Sequence, residues 1–337
     1  MGAIMINPAA KFAVFFKIKF CILSLLTLGF SPIAFADAYP TKPITLVSPK
    51  AAGGAADLSA RAFATIAEKY IGQPIRVVNK PGGAGVPGVV EVMNSAPDGY
   101  TLMAGLSAMM VSAPVFKKNN PYSTSDFTYI SILEDQPITF AVRSDSNFKD
   151  INDLLLAIKG GPKNPIKVAV ASKIGLATIA ANALAVDLGA GKTSLKNVPF
   201  KNGPSQAKGL LAGDVDFASV NLASINSALM SGDARLLMVT SNKRNETYSS
   251  APTAMESGLN LTAGISLWVG LIGPKGLSKD VLNKWEETLP RIFADPEYQA
   301  MLAKRGATLW GSLPKQTPAI VEGQISSLTT LKTNLAN

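Results

Sequence analysis

One local pattern, a short apolar run passing through small residues into a helix, occurs twice in this chain and confines it to the α/β class. The first copy is Ile44-Thr45-Leu46-Val47-Ser48, then Pro49-Lys50-Ala51-Ala52-Gly53-Gly54-Ala55-Ala56-Asp57, then a helical segment carrying Leu58, Ala62, Ile66 and Tyr70 at four-residue spacing. The second is a strand over residues 166–170, then Ala171-Ser172-Lys173-Ile174-Gly175 opening a helix that runs to Leu188. Such a junction can hold an anion. Glycine leaves no side chain in the way, and the first-turn N–H groups and the helix dipole favour negative charge. The amides of Gly53 and Gly54 are expected to face a carboxylate or phosphate, with Asp57 starting or capping the helix. The same junction is also the ordinary route from strand to helix, in which glycine answers a backbone need alone.

The alternation extends along the chain. Strands are expected over residues 75–78, 101–105 and 129–133; the pattern then restarts near Gln136-Pro137. Further strands follow over 140–142, 166–170, 195–198, 215–220 and 236–239, with helices over 151–159 and 223–230 and one ending near Leu211. This order predicts mostly parallel sheets flanked by helices. The chain leaves the second region around residues 252–258, crosses back over 267–272, and ends in helices over 278–293, 296–304 and 318–335. Two crossings, near 136–139 and 260–267, make residues 138–261 a second lobe inserted into a discontinuous first lobe of 37–137 and 262–337, with a two-stranded hinge. Ser107, just beyond the third strand, is expected at the same sheet edge as the first loop and is a candidate second contact. Two strand–loop–helix junctions facing across a cleft would form a pincer for one small anion.

The run Gly83-Ala84-Gly85-Val86-Pro87-Gly88 has the spacing of a dinucleotide fingerprint. Pro87 removes a donor where the phosphate needs one, and the next acid, Asp98, sits in a Pro97-Asp98-Gly99-Tyr100 turn. We read it as a connection into a short helix over 89–95.

Residues 1–36 read as a secretory signal peptide. Lys11, Lys17 and Lys19 precede an apolar segment over 20–30, and Ala34-Phe35-Ala36 supplies a small-x-small cleavage site. An uncleaved anchor would need about 20 apolar residues, longer than this core. The one cysteine, Cys21, lies inside the apolar segment, so a mature chain beginning near Asp37 carries no thiol. The 32 basic and 23 acidic residues give +9; removing the three leader lysines and no acid leaves +6. A nucleic-acid partner is not expected, because the lysines are scattered and no basic stripe is interleaved with aromatics.

The sequence has no histidine. That excludes a Ser-His-Asp or Cys-His nucleophile, a histidine proton shuttle and histidine-based zinc sites. Ser-x-x-Lys occurs at Ser146/Lys149 and Ser205/Lys208, without the companion motifs of penicillin-recognising enzymes. Paired acids such as Glu134-Asp135 and Glu286-Glu287 read as solvated or loop charges. Binding without chemistry is what remains: backbone N–H groups at loop–helix junctions, assisted by Lys50, Lys173 or Lys201 and by hydroxyls of Ser107, Ser172 and Thr178.

An ordered set of motifs then carries a resemblance. Tyr39-Pro40-x-Lys42-Pro43-Ile44, Ala52-Gly53-Gly54-x-x-Asp57, Ala60-Arg61, Gly72-Gln73, Asn79-Lys80-Pro81-Gly82 and Pro97-Asp98-Gly99-Tyr100-Thr101-Leu102 stand in order, followed by Pro121-Tyr122 and Asp126-Phe127. Val198-Pro199-Phe200-Lys201, Leu210-Leu211-x-Gly213-Asp214-Val215-Asp216, Ser231-Gly232, Ala254-x-Glu256-x-Gly258 and Trp268-x-Gly270-Leu271-x-x-Pro274 continue it. Together, over nearly the whole mature chain, they resemble the periplasmic receptors of tripartite tricarboxylate transporters, the Bug receptors.

The resemblance implies a two-lobed, type II periplasmic-binding-protein fold. It further implies a cofactor-free, monomeric, periplasmic receptor that closes on a small carboxylate and delivers it to a two-component integral membrane permease. By match, the ligand sits between Lys50, Ala51, Ala52, Gly53, Gly54 and Asp57 on one side and Ser172, Lys173, Ile174, Gly175 and Thr178 on the other. Phe200, Lys201 and Asn202 lie where the third pocket loop runs. The chain departs from the family pattern at Lys50, where an aromatic is common, at Ile179, where histidine is common, and at Phe200-Lys201-Asn202 in place of Tyr-Lys-Gly. An enzyme on the same scaffold, using Ser205/Lys208 or a dinucleotide at residues 83–88, and a receptor serving a sensor kinase are the alternatives.

Overall fold

The computed structural model describes Gly2 and residues 39–161, 164–171, 175–190 and 194–336. The expected leader thus lies, Gly2 apart, outside the described residues. Among the described residues, with the ten strands numbered in chain order, eight form one path in the order β2-β1-β3-β9-β4-β7-β5-β6, and β8 and β10 pair with β4 off that path. β1 (Ile44–Ser48), β2 (Ile75–Asn79) and β3 (Thr101–Leu106) run parallel, as do β5 (Ile166–Val170), β6 (Leu195–Pro199) and β7 (Phe217–Asn221). These are the strands joined through helices. β4 (Phe127–Arg143) and β9 (Ser266–Pro274) run antiparallel to their neighbours, as do β8 (Ala234–Val239) and the short β10 (Thr308–Leu309), so the α/β sheets are mixed.

The largest difference from the sequence reading is β4. Two strands were expected, separated by a break at Gln136-Pro137; the structure has one strand of 17 residues. Up to Pro137, which stands opposite Ser266, β4 pairs with β9. From Ile138, opposite Asn221, it pairs with β7 and β8. The donor that proline lacks falls where one ladder gives way to the other, so the residue marks an exchange of partners and not a strand end. The return segment is pinned at the same level. Thr240, fully buried, accepts from Ile138 N–H through its hydroxyl, and that hydroxyl lies within donating distance of the carbonyls of Ile138 and Ile265.

α1 (Ala55–Ile71) follows β1 and stops at Gly72, whose left-handed φ of 81° lets its N–H return to Glu68 O. Of the expected stripe of Leu58, Ala62, Ile66 and Tyr70, only Ile66 is buried. Leu58 is 43% exposed, while Ala56, Ala60, Phe63, Ile66 and Ala67 are fully buried. Phe63 packs on Trp285 of α8 (Lys279–Phe293) and Tyr298 of α9 (Pro296–Lys304), which cover the same sheet. Small residues on the inner face let α1 lie close to the strands, and a four-residue apolar spacing did not reveal it.

The connection after β2 is a tight turn, Gly83–Gly85, leading into α2 (Val86–Met93), as read from Pro87. A Cβ on Gly85 (φ 95°) would lie 2.6 Å from Pro49 O and 2.5 Å from Met109 Cε. Gly85→Ala should therefore lower the unfolding free energy by about 2 kcal/mol, through left-handed backbone strain and the clash. A denaturant midpoint unchanged from wild type would show that the turn is free to move. After β3 the chain forms a wide helical turn, Ala108–Ser112, continuing into α3 (Ala113–Phe116).

α4 (Ile151–Lys159), α5 (Leu176–Asp187), α6 (Gly203–Ala212) and α7 (Leu222–Met230) flank the second group of strands, and α10 (Thr317–Ala336) ends the chain. One hydrophobic cluster runs through both groups of strands; a second, around Leu210, Val220 and Ile225, lies under α6 and α7.

Candidate functional site

The segments that follow β1, β2 and β3 emerge at the C-terminal edge of three parallel strands, the edge at which open α/β sheets bind ligands. They touch one another at Gly85, which packs against Pro49 on one side and Met109 on the other. Around the first loop, one network fixes the backbone. Asp57, 2% exposed, accepts from Gly53 N–H at 2.9 Å, Arg61 Nε at 3.2 Å and Asn79 Nδ2 at 2.7 Å. Asn79 Nδ2 also reaches Lys50 O at 3.0 Å, and Arg61 Nη2 donates to Asn79 Oδ1 at 3.0 Å. Burial alone would push the Asp57 carboxyl up, but the hydrogen bonds from Arg61, Gly53 and Asn79 outweigh it and hold it below the usual carboxylate range.

Asp57 is the third helical residue, not the cap. Its carboxylate reaches back to the loop, and Gly54, which has no side chain, occupies the cap position. The glycine amides are not the open donors that the sequence suggested: Gly53 N–H is spent on Asp57 and Gly54 N–H on Ala51 O at 3.1 Å. The first-turn N–H groups of α1, from Ala55 onward, have no acceptor within the helix and no capping side chain. α5 begins the same way, on Gly175 with no side-chain cap. By contrast α4, α6, α8 and α9 are capped by Asp150, Asn202, Ser278 and Asp295.

Ser172, Lys173 and Ile174 lie outside the described residues. Thr178 is buried in the first turn of α5. Ser107 is buried and its hydroxyl is engaged, donating to Ser266 O at 2.9 Å and accepting from Trp268 N–H at 3.2 Å, so it ties the end of β3 to β9. It lines a cavity of about 190 Å³ with Leu176, Asn242, Ser266 and Gln324, which brings the end of β3 and the start of α5 to one space. Phe200 packs its ring over Gly209, Lys201 is exposed, and Asn202 caps α6 by accepting from Ser205 N–H at 3.0 Å. In the sequence, Arg61 and Asn79 stand out only as members of motifs. Their place in the motifs Ala60-Arg61 and Asn79-Lys80-Pro81-Gly82 was the available signal, and their partnership with Asp57, 22 residues from Asn79, needed the fold.

Neither Ser-x-x-Lys forms a dyad. Ser205 Oγ donates to Asn202 O at 2.8 Å, and Lys149 Nζ reaches the Ser146 carbonyl, not its hydroxyl, at 2.7 Å. Among the described residues no group of three His, Cys, Asp or Glu is placed to hold a metal.

Comparison with known proteins decides the family. The model of the tripartite tricarboxylate transporter family receptor matches residues 59–334. The chain belongs to this family. This receptor is similar to a TctC solute-binding protein from Polaromonas solved without ligand, at 26% identity and a TM-score of 0.78 over 88% of this chain and 99% of that one. It is also similar to the periplasmic binding protein BugD, at 29% identity and a TM-score of 0.67 over 88% and 98% of the two chains. MatC from Rhodopseudomonas palustris, solved with bound malate, shares the fold at 24% identity and a TM-score of 0.66, over 87% and 99%. The protein is thus a solute-binding receptor of the TctC/Bug type, with a periplasmic-binding-protein fold.

Proposed function

We propose that this receptor captures a small carboxylate between two lobes, residues 37–137 with 262–337 and residues 138–261, and hands it to a two-component membrane permease. It works as a periplasmic monomer, with its leader removed near Ala36, and without a cofactor or catalysis. Two observations support this reading: a cavity lined by Ser107 at the end of β3 and Leu176 at the start of α5, and the opening of both α1 and α5 on glycines with no side-chain cap. A carboxylate there accepts from first-turn N–H groups of both helices, where the dipoles favour it.

Lys50 to Gly54 and residues 172–175 form the two jaws, Asp57 positions the first, Thr178 supports the second, and Phe200, Lys201 and Asn202 stand at the rim. Ligand favours closure only by the free energy of the contacts it adds in the closed form, so binding both jaws is what shifts the population. The strand exchange at Pro137/Ile138 and the Thr240 clamp supply the two-stranded pivot.

A thermal-shift screen over mono-, di- and tricarboxylates tests the reading. A ligand present at about a hundred times its dissociation constant adds roughly 2.7 kcal/mol, which should raise the melting temperature by several degrees. A screen in which no carboxylate moves the transition would overturn it.

A further inference from the structure

A second cavity, of about 670 Å³, shares no lining residue with the one beside Ser107. That volume lies within the roughly 300–1,000 Å³ of small-molecule sites. α10 lines both cavities through different faces: Pro318, Val321, Ile325 and Thr329, at three- and four-residue intervals, line this one, and Ile320, Gln324 and Leu328 line the other. The remaining apolar walls are Pro114 and Val115 of α3 and Phe127 and Tyr129, which stand two apart on one face of β4. The helix is anchored at both ends of the lining stretch. Thr317, in its first turn, donates to Ile130 O at 3.2 Å, and the Lys332 ammonium donates to Val115 O at 2.7 Å.

The hydroxyls in the lining are engaged, with one exception. Thr124 and Thr329 donate to Met110 O and Ile325 O, Ser123 and Ser125 bond each other, and Thr128 accepts from Gly276 N–H. Tyr129 is 7% exposed, and its hydroxyl, closed off from solvent, has no hydrogen-bond partner. Phenylalanine would give the same ring packing without an orphaned donor, so packing alone does not account for the hydroxyl. An acceptor brought into the cavity removes that penalty. Glu322 and Lys332, both exposed, supply one charge of each sign, so the lining favours no net charge on its guest.

We propose that this cavity is a second ligand site, which takes a neutral, largely apolar molecule and holds its carbonyl oxygen on the Tyr129 hydroxyl. The site is independent of the carboxylate reading, since it involves other residues and uncharged ligands. In the sequence Tyr129 is one more strand residue. Its orphaned hydroxyl arises only where the last helix closes over the start of β4.

The experiment follows the amide shifts of the nitrogen-15-labelled mature receptor during titration with acetophenone and, separately, with ethylbenzene, which has nearly the same shape and no oxygen. Acetophenone should shift the amides of Tyr129, Val321 and Ile325 saturably and bind about three- to tenfold tighter than ethylbenzene. Tyr129→Phe, which keeps the ring packing, should weaken acetophenone to the level of ethylbenzene and leave ethylbenzene within about twofold. Absence of a saturable shift at these amides would overturn the site. So would equal binding of the two compounds by the wild-type protein, or a preference for the ketone that survives Tyr129→Phe. Saturable shifts confined to Gly175 and Leu176 would place the ketone in the other cavity and overturn it equally. None of these outcomes bears on carboxylate capture, which the thermal-shift screen tests separately.

Discussion

Asp57→Ala is expected to weaken carboxylate binding by about 100-fold, equivalent to roughly 2.7 kcal/mol, and to destabilise the fold by about 2–3 kcal/mol. The carboxylate joins three parts of the chain that are distant in sequence: Gly53 in the loop, Arg61 one turn along α1 and Asn79 at the end of β2. Its removal leaves the Gly53 N–H and the Asn79 amide without their acceptor in a site that is nearly closed to water, and each such group costs free energy. Lys50 O keeps Asn79 as a donor, but the loop between them loses its second fixed point. The first-turn N–H groups then lose their aim, so binding should fall together with stability. Arg61→Ala is the informative contrast. That side chain is half exposed, and its pairing with Asp57 should be worth no more than about 1 kcal/mol. Because the folded-state pKa of Asp57 is depressed, its contribution is present above the unfolded value near 3.8 and is lost as the pH falls through the folded value. Wild-type affinity in Asp57→Ala would show that the loop is held by other means.

The second large effect is a gain. Asp135 lies on β4 two residues before the partner exchange, 8% exposed, with Oδ1 lacking a hydrogen-bond partner. Burial pushes its carboxyl up to about 6, Glu134 beside it adds to the rise, and the nearby Ser266 hydroxyl and Gln136 amide draw it back only in part. The native state therefore holds a proton on Asp135 that the unfolded chain releases near 3.8, so stability falls as the pH rises between those two values and levels off above the higher one. At neutral pH the buried charge costs on the order of 2–3 kcal/mol. Asp135→Asn keeps the shape and removes the charge. It should raise the melting temperature by several degrees at about pH 8 and by about half as much at about pH 5. Calorimetric unfolding at both pH values checks this, and an equal or negative shift at the higher pH would contradict it.

How far the sequence could be read followed from how local each determinant was. β1, the β5 strand, α9 and the turn into α2 were legible because apolar runs, prolines and glycines act within a few residues. The continuity of β4 was not, because proline ends a strand only when its missing donor interrupts a ladder, and here two ladders meet at that residue. The buried face of α1 was obscured because alanines and Phe63, not the larger Leu58, face the sheet. At the site, the glycine loop and Asp57 stood out by residue type. The spending of the glycine amides inside the loop and the Asp57–Arg61–Asn79 network depend on the folded loop and on strands that pair across the sheet, and no spacing rule encodes them.

The central claim is that helix termini from both lobes hold one anion at the same time. Amide chemical shifts of the nitrogen-15-labelled mature receptor, followed while the best-binding carboxylate is titrated in, test it most directly. The prediction is that Ala55 and Ala56 of α1 and Gly175 and Leu176 of α5 shift together and saturate at one stoichiometric equivalent. Saturable binding that moves the amides of one terminus and leaves the other unchanged would contradict the account.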